Sequence, residues 1–196
     1  MKQYSRACDE NRDPILAVIR VAFADAHSIL EIGSGTGQHA VYFAHQLPHL
    51  IWQPSDLVEN HASILAWRDD AGVDNVLPPL ELDVTAGTWP NRLYDGIFSA
   101  NSIHIMSWEA VQCMFGGIGK LLRRDAHCCL YGPFNYGGTY TSNSNRQFDN
   151  WLKERDAASG IRDYEAIAEL ADANGLQLET DNEMPVNNRL LVWKKI

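Results

Sequence analysis

Residues 28–37 read Ser-Ile-Leu-Glu-Ile-Gly-Ser-Gly-Thr-Gly, a short apolar run ending in glycines at the alternate positions 33, 35 and 37. Glycine adopts positive φ without penalty and lets a ligand approach the backbone where a Cβ would otherwise stand. The run SILEIG (28–33) reads as a buried strand, and TGQHAVYFAHQL (36–47) reads as the helix that follows it. The glycines therefore sit at the carboxyl end of a strand, the edge at which open α/β sheets take their ligands.

The rest of the chain repeats this alternation. Asp13-Pro14 predicts a helix start, with Asp as N-cap and Pro at the first helical position, leading into ILAVIRVAFADA. LIWQPSD (50–56) predicts a strand, ENHASILAWRDDAG (59–72) a helix closed by Gly72, and PLELDV (79–84) and YDGIFSAN (94–101) two more strands. Trp108, Val111, Phe115, Ile118 and Leu122 recur at helical spacing. Gly116, Gly117 and Gly119 lie inside that pattern at ~1 kcal/mol each against Ala, so they predict a break or tight packing. AHCCLYG (126–132) reads as a fifth strand, and a helix runs from near Asp163 to just before Gly175. LQLETDN (176–182) and NRLLVWKKI (188–196) read as a closing hairpin. The polar stretch 133–148 predicts an irregular loop, whose length suggests function. The whole predicts one α/β domain over 1–196, a mostly parallel sheet with helices on both faces.

Composition narrows the partners. Across 196 residues, 16 Lys and Arg against 25 Asp and Glu leave a net charge of −9, which argues against gripping a nucleic-acid backbone. A hydrophobic fraction of 45% with 21% charged excludes global disorder. No apolar run approaches the about 18 residues of a membrane helix, and the polar start lacks a signal-peptide core. The expectation is a cytoplasmic protein that engages neither nucleic acid nor membrane. Cys8, Cys113, Cys128 and Cys129 have no CxxC spacing and read as reduced thiols, the adjacent pair pointing to opposite faces of a strand. His45 and His49 stand four apart, but Pro48 interrupts them and no carboxylate is near, so no metal site is expected.

The glycine turn admits three ligand readings. A Walker loop needs Lys-Ser or Lys-Thr after its last glycine, where Gln38-His39 stand. A dinucleotide fingerprint, and with it a nicotinamide oxidoreductase, needs glycine at 38. The remaining form is G-x-G-x-G with Glu31 two residues before it. Asp56 ends the second strand at the spacing where a carboxylate accepts ribose hydroxyls, and Asp83 ends the third. The segment Ser99 to His104 leaves the fourth strand toward the same edge. A packing turn with solvated strand-end acids is the bland alternative to this set.

ILEIGSGTGQHAVYFA, Asp56, LDV and ANSIHIMSW together resemble the class I S-adenosylmethionine-dependent methyltransferases. ENRDPIL, LYGPFNYGG, SNRQFDNWL, GIRDYE and MPVNNRLLVW resemble one branch of them, the methyltransferase-like 26 family (domain of unknown function 938). The resemblance implies a Rossmann-like, seven-stranded sheet of order 3-2-1-4-5-7-6 with the last strand antiparallel. It implies S-adenosylmethionine as cofactor, with Glu31, Gly33, Gly35 and Gly37 around its methionine part, Asp56 on the ribose and Asp83 near the adenine. Asn101 would face the methionine or the methyl group. The resemblance supplies no agreed acceptor; the leading reading is a methyltransferase acting on a small molecule or a restricted protein site, and the other is a non-catalytic binding module that regulates a partner. For the chemistry, the residues themselves offer His104 as base or acceptor-orienting donor. Tyr131, Tyr136 and Tyr140 offer walls to an acceptor site or ring faces to a cation. Arg162-Asp163 suits a polar substrate, and Asp163 equally suits a helix N-cap.

Overall fold

The structure, a computed structural model, describes residues 1–196. The chain runs α1 (Arg6–Ala22), β1 (Ser28–Ile32), α2 (Gln38–Gln46), β2 (Ile51–Asp56), α3 (Val58–Ala71), β3 (Leu80–Glu81) and β4 (Tyr94–Ala100). It continues with α4 (Trp108–Leu121), β5 (Leu122–Gly132), β6 (Phe134–Asn135), α5 (Asn143–Arg155), β7 (Arg162–Asp163), α6 (Tyr164–Ala173), β8 (Leu176–Met184) and β9 (Asn188–Lys195). Seven strands form one sheet in the order β3-β2-β1-β4-β5-β9-β8. Setting aside the two-residue pair β6 and β7, this is the expected order, and β9 is the strand that runs against its neighbours.

Both sheet faces are buried, which is why the central strands are apolar without alternation. On β5, Cys128 and Leu130 join one core while Cys129 and Tyr131 join the other, and Leu191 and Leu190 of β9 divide in the same way. The adjacent cysteines thus point to opposite faces, as a strand requires, and both are free thiols. Val111, Phe115 and Ile118 of α4 and Ile167 of α6 cover the first face; Ile15 and Ile19 of α1 and Phe43 of α2 cover the second.

Two expectations need correction, and a third is decided between its alternatives. The first helix starts at Arg6, not at Asp13, and Pro14 lies inside it. Asn11, Ile15 and Ile19 share one buried face, and the Asn11 side chain accepts from His39 Nε2 at 2.7 Å, so packing carries the helix through the proline. The long loop over 133–148 is instead the β6 strand, a tight Tyr136–Thr139 turn and the first half of α5. Ser142 caps α5 by accepting the Asn145 amide at 3.0 Å. At the α4 glycines the structure shows the tight packing of the two expected outcomes: the helix is unbroken, and a Cβ at Gly117 would overlap the Trp89 ring. Packing, not breakage, explains that glycine.

Candidate functional site

The glycine turn is built as the end of a parallel strand pair. β1 runs beside β2 with Ile32 opposite Ser55, and the Gly33 and Ser34 amides both donate to the Ser55 carbonyl at 3.0 Å. Gly33, Gly35 and Gly37 take φ of 74°, 54° and 92°, the left-handed region that side chains disfavour. Asp56, at the end of β2, closes the turn from the other side. Its Oδ2 accepts the Gly35 amide at 2.6 Å, and its Oδ1 accepts the Leu57 amide at 2.7 Å and Asn60 Nδ2 at 2.9 Å. A carboxylate has about four acceptor positions, so Oδ2 retains one for a ligand.

Glu31 lies beneath the turn and does not line the cavity above it. It is 2% exposed, and its Oε2 accepts from Ser34 Oγ and from Trp52 Nε1, both at 3.0 Å. Burial raises its carboxyl to about 7 despite those two bonds. Glu31 therefore supports the turn from below.

A cavity of about 550 Å³ opens above the turn, lined by Gly33, Gly35, Asp56, Asp83, Asn101 and His39 among others. Asp83 stands just past β3, where the Thr85 hydroxyl and amide donate to its Oδ1 at 2.6 and 2.8 Å and hold its carboxyl below the usual value. Asn101 follows β4 with φ 58°, its amide fixed to the Tyr131 carbonyl at 2.8 Å. A second cavity, about 840 Å³, lies on the far side of Asn101. Ser5, Asn101 and Ile105 line both, so the two cavities adjoin there. Each has the size of a small-molecule or cofactor site.

His104 lines the second cavity and is 3% exposed. Its Nδ1 is buried with no hydrogen-bond partner, and its ring meets Phe148 edge-on at 5.3 Å. Burial, with the nearby Arg162 charge, pushes its pKa down to about 4, so the imidazole is neutral at physiological pH. An atom at the Cβ position of Gly132 would stand 3.5 Å from His104 Nδ1 and 3.9 Å from Asn101 Oδ1, which brings both side chains to one junction.

The tyrosines divide. Tyr131 lines the second cavity, and burial raises the pKa of its hydroxyl. Tyr136 lines neither cavity: its hydroxyl donates to Asp181 at 2.7 Å and its ring stacks on Tyr164, so the expected role at the acceptor site is not met. Tyr140 likewise spends its hydroxyl on Asp149, at 2.6 Å. Arg162 donates to the carbonyls of Ile103, Met106 and Ala158, a backbone clamp in place of a substrate contact. Asp163 occupies the N-cap position of α6 without a side-chain bond. No group of three or more His, Cys, Asp or Glu side chains is placed to hold a metal ion.

The sequence reasoning missed part of the site. Phe148, Trp151 and Leu152 of α5 wall the second cavity, and their spacing over a Ser142 cap was a readable helix signal. Asn11 also lines it, but a buried asparagine inside a helix leaves no pattern to read.

The class the architecture defines is the Rossmann-like methyltransferase fold, since solved structures of such proteins superpose over nearly the whole chain. An O-methyltransferase family protein from Burkholderia thailandensis matches with TM-score 0.84 at 14% identity, covering 93% of this chain and 55% of that one. An O-methyltransferase family 2 protein from Planctomyces limnophilus DSM 3776, in complex with apigenin, matches with TM-score 0.77 at 12% identity, covering 94% and 62%. PigF with SAH matches with TM-score 0.76 at 16% identity, covering 93% and 61%. The chain spans little more than half the length of these proteins. Within that fold the chain belongs to the family described as "Protein of unknown function (DUF938)", whose model matches residues 2–195.

Proposed function

We propose that this protein is an S-adenosylmethionine-dependent methyltransferase acting on a small molecule. The observation that carries the reading is the pair of cavities meeting at Asn101 and Ile105, one floored by the glycine turn and Asp56, the other holding His104. The residues of the first suit the cofactor. A Cβ at Gly35 would meet nothing within 4 Å, so the turn presents bare backbone to an open cradle, and Asp56 Oδ2 keeps an acceptor position for a ribose hydroxyl. Asp83 stands at the same wall with one carboxylate oxygen left for an exocyclic amine. One solved neighbour carries SAH and another apigenin, which supports a fold that takes this cofactor and a small-molecule acceptor. Finer placement follows the sequence motifs, which resemble the methyltransferase-like 26 branch, and the four free cysteines agree with a cytoplasmic protein. No helix is long and apolar enough to cross a membrane.

S-adenosylmethionine supplies an electrophilic methyl group on sulfonium. What the chain contributes is alignment and exclusion of water. Asn101 lines both cavities and would stand between cofactor and acceptor, with Ile105 beside it on the shared wall. His104 orients the acceptor through a ring nitrogen that has no protein partner. Holding the reacting atoms a little over 3 Å apart accounts for several kcal/mol of a barrier of this kind.

Calorimetric titration with S-adenosylmethionine, S-adenosylhomocysteine and NADH tests the reading. Heat from the first two and none from NADH is the expected result, followed by S-adenosylhomocysteine accumulation when small-molecule extract fractions are added. NADH binding without the other two would overturn it, and cofactor binding with no turnover on any fraction would leave a binding module in its place.

A further inference from the structure

The geometry points to an acceptor bound as an anion: we infer that the second cavity takes an acidic hydroxyl compound, a phenol or enol, its oxygen held by a neutral His104 N–H in the field of Arg162. This rests on the methyltransferase reading and adds the substrate class.

Three observations carry it. First, His104 lines the cavity, and its Nδ1 is a buried polar atom with no partner from the chain. Such an atom is costly unless a ligand or water completes it. Second, the charge beside His104 is positive. No carboxylate bonds its ring. Arg162 is pinned to the carbonyls of Ile103 and Met106, either side of His104, and to that of Ala158. A histidine that takes protons in turnover is usually backed by a carboxylate that stabilises the imidazolium. Here a guanidinium opposes it, and burial adds to the effect, so the imidazole stays neutral. The same field favours an oxyanion and disfavours an ammonium. Third, the wall is aromatic, and each of its three charged side chains, Glu10, Arg155 and Asp156, has a partner, Asp156 accepting the Ala158 amide at 2.9 Å. Phe148 stacks on Trp151 at 5.7 Å and 18°, Arg155 lies over the Trp151 ring, and Glu10 binds Arg6. That wall suits a planar body with one ionised oxygen at its inner end.

The step balances without a base on the protein. The acceptor gives up its proton to solvent on binding. Its oxygen then forms a bond to the methyl carbon as the carbon–sulfur bond breaks, the electron pair of that bond staying on sulfur.

4-Nitrophenol, whose ionisation is visible by absorbance, tests this on protein saturated with S-adenosylhomocysteine. The bound probe should ionise at least about one pH unit below its free value, and 4-nitroaniline, of the same shape, should bind about tenfold more weakly. 4-Nitrobenzoate should also bind more weakly. His104→Gln, which keeps an N–H, should retain the shift, and His104→Phe should abolish it. An unshifted or raised pKa, no binding, equal or tighter binding of the aniline or benzoate, or a shift that survives His104→Phe would each overturn the inference. The wild-type titration decides even if a variant fails to fold. Absence of S-adenosylhomocysteine binding would instead sink the methyltransferase reading beneath it.

Discussion

The Asp56 carboxylate accepts the Gly35 amide at 2.6 Å, which ties the end of β2 to the middle of the glycine turn. One side chain thus shapes the turn and faces the cavity above it. Charge-assisted hydrogen bonds to a ribose are worth about 1.5–3 kcal/mol, so Asp56→Ala should weaken S-adenosylhomocysteine roughly tenfold to a hundredfold. The melting temperature should fall as well, because the Gly35 amide and Asn60 lose their acceptor. Calorimetry beside a melting curve checks both; loss of stability at unchanged affinity would make Asp56 purely structural.

Gly35 and Gly37 should separate binding from folding. A side chain at Gly35 meets no atom within 4 Å, so Gly35→Val should cost only the left-handed backbone penalty of about 1–2 kcal/mol while filling the cradle and abolishing cofactor binding. A Cβ at Gly37 would stand 2.8 Å from the Ile64 Cα, and backbone cannot yield as a side chain does. Gly37→Ala should therefore lose more stability than Gly35→Val. Thermal melts of the two variants give the ranking directly, and the reverse order would refute it.

How much of this was legible follows the range of the interactions. The turn, Asp56 and Asp83 could be read because strand ends and glycine chemistry are local. Glu31 could be found but not its place under the turn, which depends on Trp52 reaching it from the neighbouring strand. α5 carried a local signal in Phe148, Trp151 and Leu152 behind the Ser142 cap, but the polar residues around them read as a loop. The second cavity escaped with it: its wall joins α5 to Asn11 and to the hairpin tip at Pro185 and Val186, contacts that no sequence window contains. Tyr136 misled because proximity in sequence to a site says nothing of which sheet face a ring packs on.

Tyr136 gives a prediction opposite to the one its sequence position suggests. Its hydroxyl donates to Asp181, which keeps a second partner in Arg189 at 2.7 Å. Tyr136→Phe should cost about 1 kcal/mol of stability and leave cofactor affinity and turnover per folded molecule unchanged. A drop in turnover with an intact melting curve would return Tyr136 to the acceptor site.

Acid should destabilise the protein well before its ordinary carboxylates titrate. His39 and His104 are both buried and held neutral, each with a pKa pushed down to about 4 by burial first, from about 6.5 when unfolded. Between those values the unfolded chain binds protons that the folded chain refuses, so stability falls as pH falls, by about 1.4 kcal/mol per pH unit for each histidine. Glu31 works the other way. Burial raises its pKa to about 7, so between about 4.5 and 7 the folded chain keeps a proton that the unfolded chain has lost. Its contribution grows as pH falls and offsets one histidine. The depressed carboxylates of Asp95 and Asp149 act below this window. The wild type should then lose about 1.4 kcal/mol per pH unit between pH 6 and pH 5. Glu31→Gln keeps an oxygen for Trp52 and Ser34 but cannot titrate, so it should roughly double that slope. Urea unfolding of both proteins at half-unit steps of pH measures it, and equal slopes would mean that Glu31 is ionised in the folded chain.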